Sequence, residues 1–248
     1  MSKQYPISNY DNYRPSRNPY HKFISDWSKE SSKPLIFIDH DTEKNRGKWR
    51  EFFGVSPQTP LELELGSYHG ETLNALAKQS PERVFLGVEW KFKQCFKAAK
   101  KAENQGVNNL CFLRANIARL PLMVAPGEVD RAMVFFPDPW SKSSHQKWRL
   151  LQPDFFRVMA WLLKPGAELF LKTDHPEYAE FIAASIKEAG FFAPMEEAQA
   201  QAVWTRIPPT PFEKIFLRQG LPIYPSAFVR DKAPAKLPEL VARSLNLN

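Results

Sequence analysis

From residue 60 onward, apolar and polar residues follow two spacings that alternate along the chain. Residues 61–65 read Leu-Glu-Leu-Glu-Leu, and this period of two predicts a half-buried β-strand. A turn with two glycines follows, and then a stretch with helical spacing over residues 71–78. Further strands are predicted over residues 84–88, 110–113, 131–136 and 167–172, and further helices over residues 92–102, 153–163 and 177–189. Strands that alternate with helices are typical of a doubly wound α/β fold with a mainly parallel sheet.

The segments before and after this pattern are more polar. Residues 1 to about 33 are interrupted by prolines and predict an extended arm that is partly disordered. Its aromatic and basic residues suit contact with RNA, and a solvated tail is an equal alternative. The sequence next predicts a short strand over residues 35–38 and a short helix near 47–54 that ends at Gly54. We therefore predict an N-terminal arm at 1–54, one domain at 55–225 and a C-terminal tail at 226–248, with a terminal helix over residues 237–245.

Charge and composition narrow the class of partner. The chain has 248 residues, is 43% hydrophobic and carries a formal net charge of +7, with a sequence pI near 9.3. This charge favours a polyanion, and nucleic acid fits better than a membrane because no apolar run approaches the roughly 18 residues that span a bilayer. The only cysteines, Cys95 and Cys111, lie in segments predicted to be buried, which indicates a reducing, cytoplasmic setting without a metal site. A monomer and a homodimer are both compatible with the sequence.

Polar residues and glycines cluster where the predicted strands end. In open parallel sheets, ligands sit outside the carboxyl ends of the strands, so these residues are expected to line one crevice. Each of them also has a structural explanation, such as a turn, a half-exposed strand position or a helix cap. Five strand ends with such residues together favour a ligand site over five separate structural roles. The residues are Glu64, Gly66, Gly70, Glu89, Asn116, Asp138 and Asp174.

The acid after the second of these strands, Glu89, discriminates between ligands. A carboxylate at this place hydrogen-bonds ribose hydroxyls of an adenosine-containing ligand and repels a phosphate. Glu64 adds a second negative charge beside the glycine turn. A pyrophosphate is disfavoured there, whereas the amino group and sulfonium of S-adenosylmethionine are favoured. The residues alone therefore predict a methyltransferase.

The most informative stretch covers residues 134–149 and reads V-F-F-P-D-P-W-S-K-S-S-H-Q-K-W-R. Pro137 and Pro139 fix the backbone on both sides of Asp138 and remove two donors, so the carboxylate sits on a stiff turn. Trp140 offers a flat face beside it. An acid and an aromatic plane at a strand end suit a nucleobase with N–H donors, and the alternative is a surface turn with a packed tryptophan.

Five motifs occur in the order E-L-G-S-Y-H-G, L-G-V-E, F-F-P-D-P-W-S-K-S-S-H-Q-K-W-R, K-T-D and T-P-F-E-K. With them, about residues 47–224 of the chain resemble the tRNA (guanine-N(7)-)-methyltransferase family. The resemblance implies a seven-stranded, Rossmann-like class I methyltransferase fold with an N-terminal extension. It further implies S-adenosylmethionine as the methyl donor and a guanosine in the tRNA variable loop as the acceptor.

The resemblance also implies roles for residues at the matching positions. Asp138 is expected to be catalytic and to share the donor site with the cofactor-binding residues of the glycine turn and the strand ends. Basic residues of the following loop are expected to bind tRNA phosphates, and the K-T-D and T-P-F-E-K motifs to bind or orient the substrate. The expected donor residues are Glu64, Gly66, Gly70, Glu89, Asn116 and Asp138, and the expected substrate residues are Lys142, His145, Lys147, Arg149, Asp174, Thr210 and Glu213.

The chain departs from the family pattern at four positions. Tyr68 stands where a glycine is usual, in a turn that the donor approaches closely. Asn116 stands where an acid is common, and its amide keeps the ability to hydrogen-bond adenine. Ser144 and Trp148 replace arginines, which predicts a salt dependence of tRNA binding flatter by roughly one unit per lost contact. Two alternatives remain open: a methyltransferase acting on a different RNA or amine, and a non-catalytic RNA-binding paralogue.

Overall fold

The structure is a computed structural model, and it describes residues 18–30, 34–233, 235–245 and 247. Within these residues, eight strands form one sheet in the order β1-β4-β3-β2-β5-β6-β8-β7. Neighbouring strands are parallel except at β8, which runs antiparallel to both β6 and β7. The strands are β1 (Ile36–Ile38), β2 (Leu61–Leu65), β3 (Val84–Glu89), β4 (Leu110–Arg114), β5 (Val129–Phe135), β6 (Leu163–Thr173), β7 (Phe192–Pro194) and β8 (Tyr224–Arg230).

Helices cover both faces of the sheet, and each face has its own apolar cluster. Leu61, Leu63 and Leu65 of β2 belong to one cluster, together with residues of α2, α5, α6, α7 and α10. Phe85 and Phe112 belong to the other, together with residues of α1, α3 and α4. The helices are α1 (Pro19–Glu30), α2 (Trp49–Phe53), α3 (Glu71–Gln79), α4 (Phe92–Asn104), α5 (Leu120–Met123), α6 (Pro153–Leu162), α7 (Pro176–Ala189), α8 (Glu197–Trp204), α9 (Pro211–Arg218) and α10 (Glu239–Ser244).

The sheet confirms the predicted doubly wound α/β fold and corrects the strand count from seven to eight. The additional strand is β1, which pairs with β4 at the edge and was itself predicted near residues 35–38. β7 and β8 were not predicted, because both are antiparallel, contain prolines and lack a clear period of two. Since β1 precedes residue 55 and β8 runs beyond residue 225, the sheet takes strands from all three predicted segments.

The predicted N-terminal arm is corrected in part, because Pro19–Glu30 is a helix rather than extended chain. Its residue Ile24 is fully buried, Tyr20 contacts the ring of Phe96 at 5.6 Å, and the Trp27 indole donates a 2.9 Å hydrogen bond to Glu103. These apolar residues recur at helical spacing, but the polar composition and the prolines obscured the pattern. The rest of that prediction concerns residues 1–17 and 31–33, which lie outside the described residues.

The order in which successive strands join the sheet changes side at its centre, between β2 and β5. β2 pairs with β3 on one side and with β5 on the other, and successive strands are added outward from this pair. Such a switch point opens a crevice at the carboxyl ends of the two central strands. No helix of the described residues has the length and apolarity needed to cross a membrane.

Candidate active site

A cavity of about 490 Å³ lies at the switch point, outside the carboxyl ends of β2, β3, β4 and β5. Most of the residues expected to bind the donor line it, and one residue expected to bind the substrate lies at its edge. Five of the seven residues expected to line one crevice at the strand ends do line this cavity, whereas Gly70 and Asp174 do not. The predicted residues that line the cavity are Glu64, Gly66, Glu89, Asn116, Asp138 and Thr210.

Glu64 is a buried carboxyl group without a compensating cation. The residue is only 4% exposed, and its Oε2 atom has no hydrogen-bond partner among the residues that the structure describes. Burial, with smaller contributions from the charges of Glu71 and Glu89, raises the pKa of Glu64 to about 8. A cationic ligand in the cavity would supply the missing partner, so Glu64 fits a sulfonium- or ammonium-bearing donor.

Glu89 ends β3 and is held in place by backbone donors. Its two carboxylate oxygens accept hydrogen bonds from the amides of Lys91 at 2.8 Å and Tyr68 at 3.1 Å. Burial raises the pKa of Glu89, and these backbone hydrogen bonds act in the opposite direction. Because each oxygen keeps a lone pair, the fixed carboxylate suits the vicinal hydroxyls of a ribose.

The turn after β2 brings backbone close to the cavity. Gly66 has φ +78°, and a Cβ atom built on it meets nothing within 4 Å, so the space beside it is open to a ligand. Tyr68 has φ 47°, the left-handed conformation in which glycine is favoured. Its ring stacks on His69 with centroids 4.0 Å apart and meets Phe212 at 5.3 Å. The turn therefore keeps the backbone shape of a glycine turn despite the tyrosine.

The prediction for Gly70 is corrected, because this residue does not line the cavity. Gly70 precedes α3 with φ +66°, and a Cβ atom there would lie 2.6 Å from the Phe112 ring and 2.9 Å from the Ala98 side chain. The glycine is therefore required for close packing of α3 and the turn against α4 and β4. Both glycines of the turn look equivalent in the sequence, and only the packing separates them.

Asn116 follows β4 and lines the cavity. Its Oδ1 atom accepts a 2.9 Å hydrogen bond from the amide of Ala118, which caps a 3-10 helix over Ile117–Arg119. The cap leaves the amide nitrogen of Asn116 as a donor. The side chain is thus fixed by the cap and can donate to an adenine ring nitrogen.

Asp138 lies on an exposed turn at the end of β5. Phe136 has φ 52° and Trp140 has φ 45°, so two non-glycine residues in the left-handed region flank the Pro137-Asp138-Pro139 segment. Such conformations cost about 1–3 kcal/mol each and persist where the surroundings enforce them, often at functional sites. The Asp138 carboxylate receives no hydrogen bond from any described residue. It is therefore presented to the cavity in a strained but rigid turn.

Arg149 supports this turn and is corrected as a phosphate ligand. The residue is 4% exposed, and its Nε atom donates a 2.8 Å hydrogen bond to the carbonyl of Pro139. Its guanidinium lies 5.0 Å from the ring centroid of Tyr178 and 4.8 Å from that of Phe181. A side chain buried against two aromatic rings is not available to a tRNA phosphate. The two leucines that follow it in the chain, Leu150 and Leu151, were the only signal in the sequence for this location.

The loop between Asp138 and Arg149 contains the other predicted phosphate ligands. A 3-10 helix spans Ser143–Trp148, and both Lys142 and Lys147 are exposed. His145 is half-buried and meets the Trp140 ring edge-on, at 5.8 Å and 83°. The two lysines are thus placed where a phosphate can reach them, while His145 packs beside the tryptophan of the turn.

Glu213, which was expected to bind the substrate, does not line the cavity. Both of its carboxylate oxygens accept hydrogen bonds from Lys172 Nζ, at 2.8 and 2.9 Å, and it completes a capping box with Thr210 at the start of α9. Lys172, the first residue of the K-T-D motif, is 7% exposed and comes from β6. Glu213 therefore fixes α9, whereas Thr210 lines the cavity.

Asp174 is half-buried after β6 and does not line the cavity.

Large aromatic side chains at the cavity rim were mostly missed as site residues. They line the cavity and remain substantially exposed, which is unusual for rings of this size. They come from separate turns, a 3-10 helix and α9, so only the tertiary structure brings them together. The most exposed are Trp90 (41%), Trp140 (39%), Trp148 (55%) and Phe212 (38%).

Residues 58–226 match a family model described as "Putative methyltransferase". The tRNA (guanine-N(7)-)-methyltransferase of Geobacillus kaustophilus (strain HTA426) is 33% identical over 207 residues, which cover 82% of this chain and 94% of that protein. The protein of the same name from Synechococcus sp. (strain JA-2-3B'a(2-13)) is 36% identical over 166 residues, covering 66% of this chain and 69% of that protein.

Among solved structures, the 16S rRNA methyltransferase KamB superposes with a TM-score of 0.54 at 19% identity, covering 75% of this chain and 93% of that one. At this identity the likeness shows the fold alone, which is that of a class I methyltransferase. The family model and the relatives go further, because they cover most of the chain and the motifs that line the cavity. This chain is a member of the tRNA (guanine-N(7)-)-methyltransferase family.

Proposed function

We propose that the protein transfers a methyl group from S-adenosylmethionine to the 7-nitrogen of a guanosine in the variable loop of tRNA. The observation that carries the proposal is that one cavity contains two carboxyl groups with different surroundings. Glu64 is buried and has no cationic partner among the described residues, and Asp138 is exposed on a rigid turn. The buried acid suits a cationic donor, and the exposed acid suits a base with N–H donors.

The donor side of the cavity fits S-adenosylmethionine, which supplies a methyl group on a sulfonium. Glu64 offers the opposite charge to the cationic part of this molecule. The carboxylate of Glu89, fixed by two backbone amides, is placed for the ribose hydroxyls, and Asn116 for the adenine. The open space beside Gly66 admits a ligand close to the backbone.

The acceptor chemistry needs little from the protein besides position and charge. The 7-nitrogen of guanine has an in-plane lone pair and loses no proton when it is methylated, so no general base is required. Asp138 accepts hydrogen bonds from the guanine N–H groups and stabilises the positive charge that develops on the base. The strained turn and Arg149 hold this carboxylate in one place, which reduces the entropy cost of alignment.

The tRNA side of the proposal is supported by charge and by the relatives. The formal net charge of +7 favours a polyanion, and both relatives described above carry tRNA in their names. Lys142 and Lys147 take phosphates, while Thr210 and Asp174 orient the loop. Cys95 and Cys111 are buried free thiols, which suits a reducing compartment such as the cytoplasm.

The test is methylation of a bulk tRNA pool with labelled donor by wild type and by Asp138→Asn. We expect wild type to form 7-methylguanosine, identified by nucleoside mass spectrometry. The variant should lose about 100- to 1000-fold in rate, the range for removal of one electrostatic contributor. Asp154→Asn, a surface residue paired with Arg157 on α6, is the matched control and should leave the rate unchanged. A rate for Asp138→Asn within about twofold of wild type would show that the role given to Asp138 is wrong.

A further inference from the structure

We propose that Trp148 is a nucleobase-stacking residue that binds an unpaired base of the RNA next to the methylation site. The proposal rests on the proposed function for the identity of the RNA. It assigns a binding role to a residue that replaces an expected arginine. RNA binding at this position would then depend on stacking rather than on attraction to a phosphate.

The first observation is the exposure of the indole. Trp148 is 55% exposed and lines the cavity, whereas Trp49 in the core is fully buried. No aromatic ring of the described residues packs on Trp148. A tryptophan usually buries a large apolar area, about 150–250 Å², so an exposed one at a ligand cavity indicates a surface that a partner covers.

The second observation is that the backbone on both sides of Trp148 is fixed. The side-chain amide of Gln152 donates to the carbonyl of Lys147 at 2.9 Å and to the carbonyl of Arg149 at 3.0 Å. The buried side chain of Arg149 anchors the end of the loop to the Asp138 turn. The exposed indole therefore projects from a rigid support, and ordering it on binding costs little entropy.

The third observation is the chemistry around the ring. The ammonium of Lys147 lies 5.3 Å from the Trp148 ring centroid, and Lys142 is exposed on the same loop. Trp140 and Phe212 add two more exposed rings to the same cavity. Flat rings interleaved with lysines are what single-stranded RNA sites use, because every base has a face that stacks and every nucleotide has a phosphate.

Stacking and phosphate binding differ in how they respond to salt. A phosphate contact by arginine adds about 0.7–0.9 to the slope of log affinity against log salt, since it releases a counterion. A stacked ring adds nothing to this slope. Stacking of one base is worth a factor of about five to 150 in affinity when the ring is removed. The two modes can therefore be separated at a single position.

The experiment measures binding of fluorescently labelled bulk tRNA to the full-length protein at several salt concentrations. Trp148→Ala should weaken binding by about five- to 150-fold at each salt concentration, with an unchanged slope. Trp148→Phe should stay within about threefold of wild type, because it keeps a ring. Trp148→Arg should steepen the slope by about 0.7–0.9. Leu240→Ala, which removes another exposed apolar side chain, is the control and should bind like wild type.

The proposal is overturned if Trp148→Ala binds within about twofold of wild type, or if its salt slope becomes flatter. It is also overturned if Trp148→Phe loses as much as Trp148→Ala, since that loss would reflect the loop rather than a stacked base. Methylation by the wild type is measured separately. Wild type that binds tRNA through Trp148 but forms no 7-methylguanosine would leave this inference standing and refute the proposed function.

Discussion

Two glutamates of β2, one in the middle of the strand and one near its carboxyl end, have opposite surroundings. Glu62 and Glu64 are two residues apart, so they point to the same face of the strand, and both are almost fully buried, at 1% and 4% exposure. Glu62 accepts hydrogen bonds from Arg83 at 2.6 Å and from Arg131 at 3.1 Å. Glu64 has an oxygen without any partner among the described residues. One buried acid is neutralised by the protein, and the other is not.

The difference separates a structural acid from a ligand-binding acid. Burying a carboxylate is costly unless a cation and hydrogen bonds compensate it. At Glu62 two arginines provide this compensation, and the ion pairs join β2 to neighbouring parts of the sheet. At Glu64 the cost remains and is visible as a pKa raised to about 8, mainly by burial. A positively charged ligand at the end of β2 would compensate the buried carboxylate of Glu64.

The largest expected effect is on stability at the paired acid. Glu62→Gln should lower the free energy of unfolding at pH 7.5 by about 3 kcal/mol, because it leaves Arg83 and Arg131 without their shared carboxylate. Urea unfolding followed by circular dichroism measures this change. An unfolding free energy within about 0.5 kcal/mol of wild type would mean that the arginine pairs contribute little.

The matched change at the unpaired acid should have the opposite sign. Glu64 has a folded pKa above its ordinary value, so its protonated form stabilises the fold below pH 4.5, and this contribution is lost as the pH rises to about 8. Glu64→Gln removes the charge and should stabilise the protein at pH 7.5 by about 2 kcal/mol, since the roughly 4 kcal/mol of the pKa shift is offset in part by a buried amide without a partner among the described residues. The difference from wild type should vanish near pH 4.5. Equal losses of stability in the two variants would mean that Glu62 and Glu64 do not differ in their contribution to stability.

The next effect concerns binding of S-adenosylmethionine between pH 6 and pH 8. Only ionised Glu64 attracts a cation, so the affinity of the wild type should rise with pH, by up to about tenfold per pH unit. Calorimetry at three pH values measures the dissociation constants. Glu64→Gln should bind weakly at every pH and show no such rise. A flat profile for the wild type would indicate that Glu64 does not contact the positive charge of the donor.

The smallest effect comes from removing one of the two partners of Glu62. Arg83 is 27% exposed at its side chain, and Arg131 still pairs with Glu62 when Arg83 is lost. Arg83→Gln should therefore cost about 1 kcal/mol in urea unfolding. Arg157→Gln removes an arginine of similar exposure, 33%, whose partner Asp154 on α6 is 45% exposed, and should change stability by less than about 0.5 kcal/mol. Equal values for the two variants would mean that burial of Glu62 does not strengthen its ion pairs.

The alternation of spacings along the chain was sufficient to predict the central strands. The prediction for β2 matches Leu61–Leu65 in both bounds, and the α/β class follows from the order of elements. The strand ends also placed Glu64, Glu89, Asn116 and Asp138 at one edge of the sheet, because parallel strands bring their carboxyl ends together. These conclusions depend on local patterns, which the sequence contains in full.

The sequence could not tell which of these residues are available to a ligand. Glu62 and Glu64 look identical in a Leu-Glu-Leu-Glu-Leu repeat, and their difference depends on arginines that come from β5 and from the turn before β3. Arg149 and Glu213 were expected to meet the substrate, but one packs beneath the Asp138 turn and the other pairs with Lys172 of β6.

The sequence by itself determined the elements, their order and the edge of the sheet where chemistry takes place. The tertiary structure decided which polar groups are paired and which are free, since pairing joins residues far apart in the chain. It also decided that Trp148 lies exposed at the cavity, on a loop held by Gln152. The periodicity of apolar residues predicts which face of a helix or strand is buried against a neighbouring element. Hydrogen-bond partners and exposure at a site depend on long-range contacts, which no local pattern encodes.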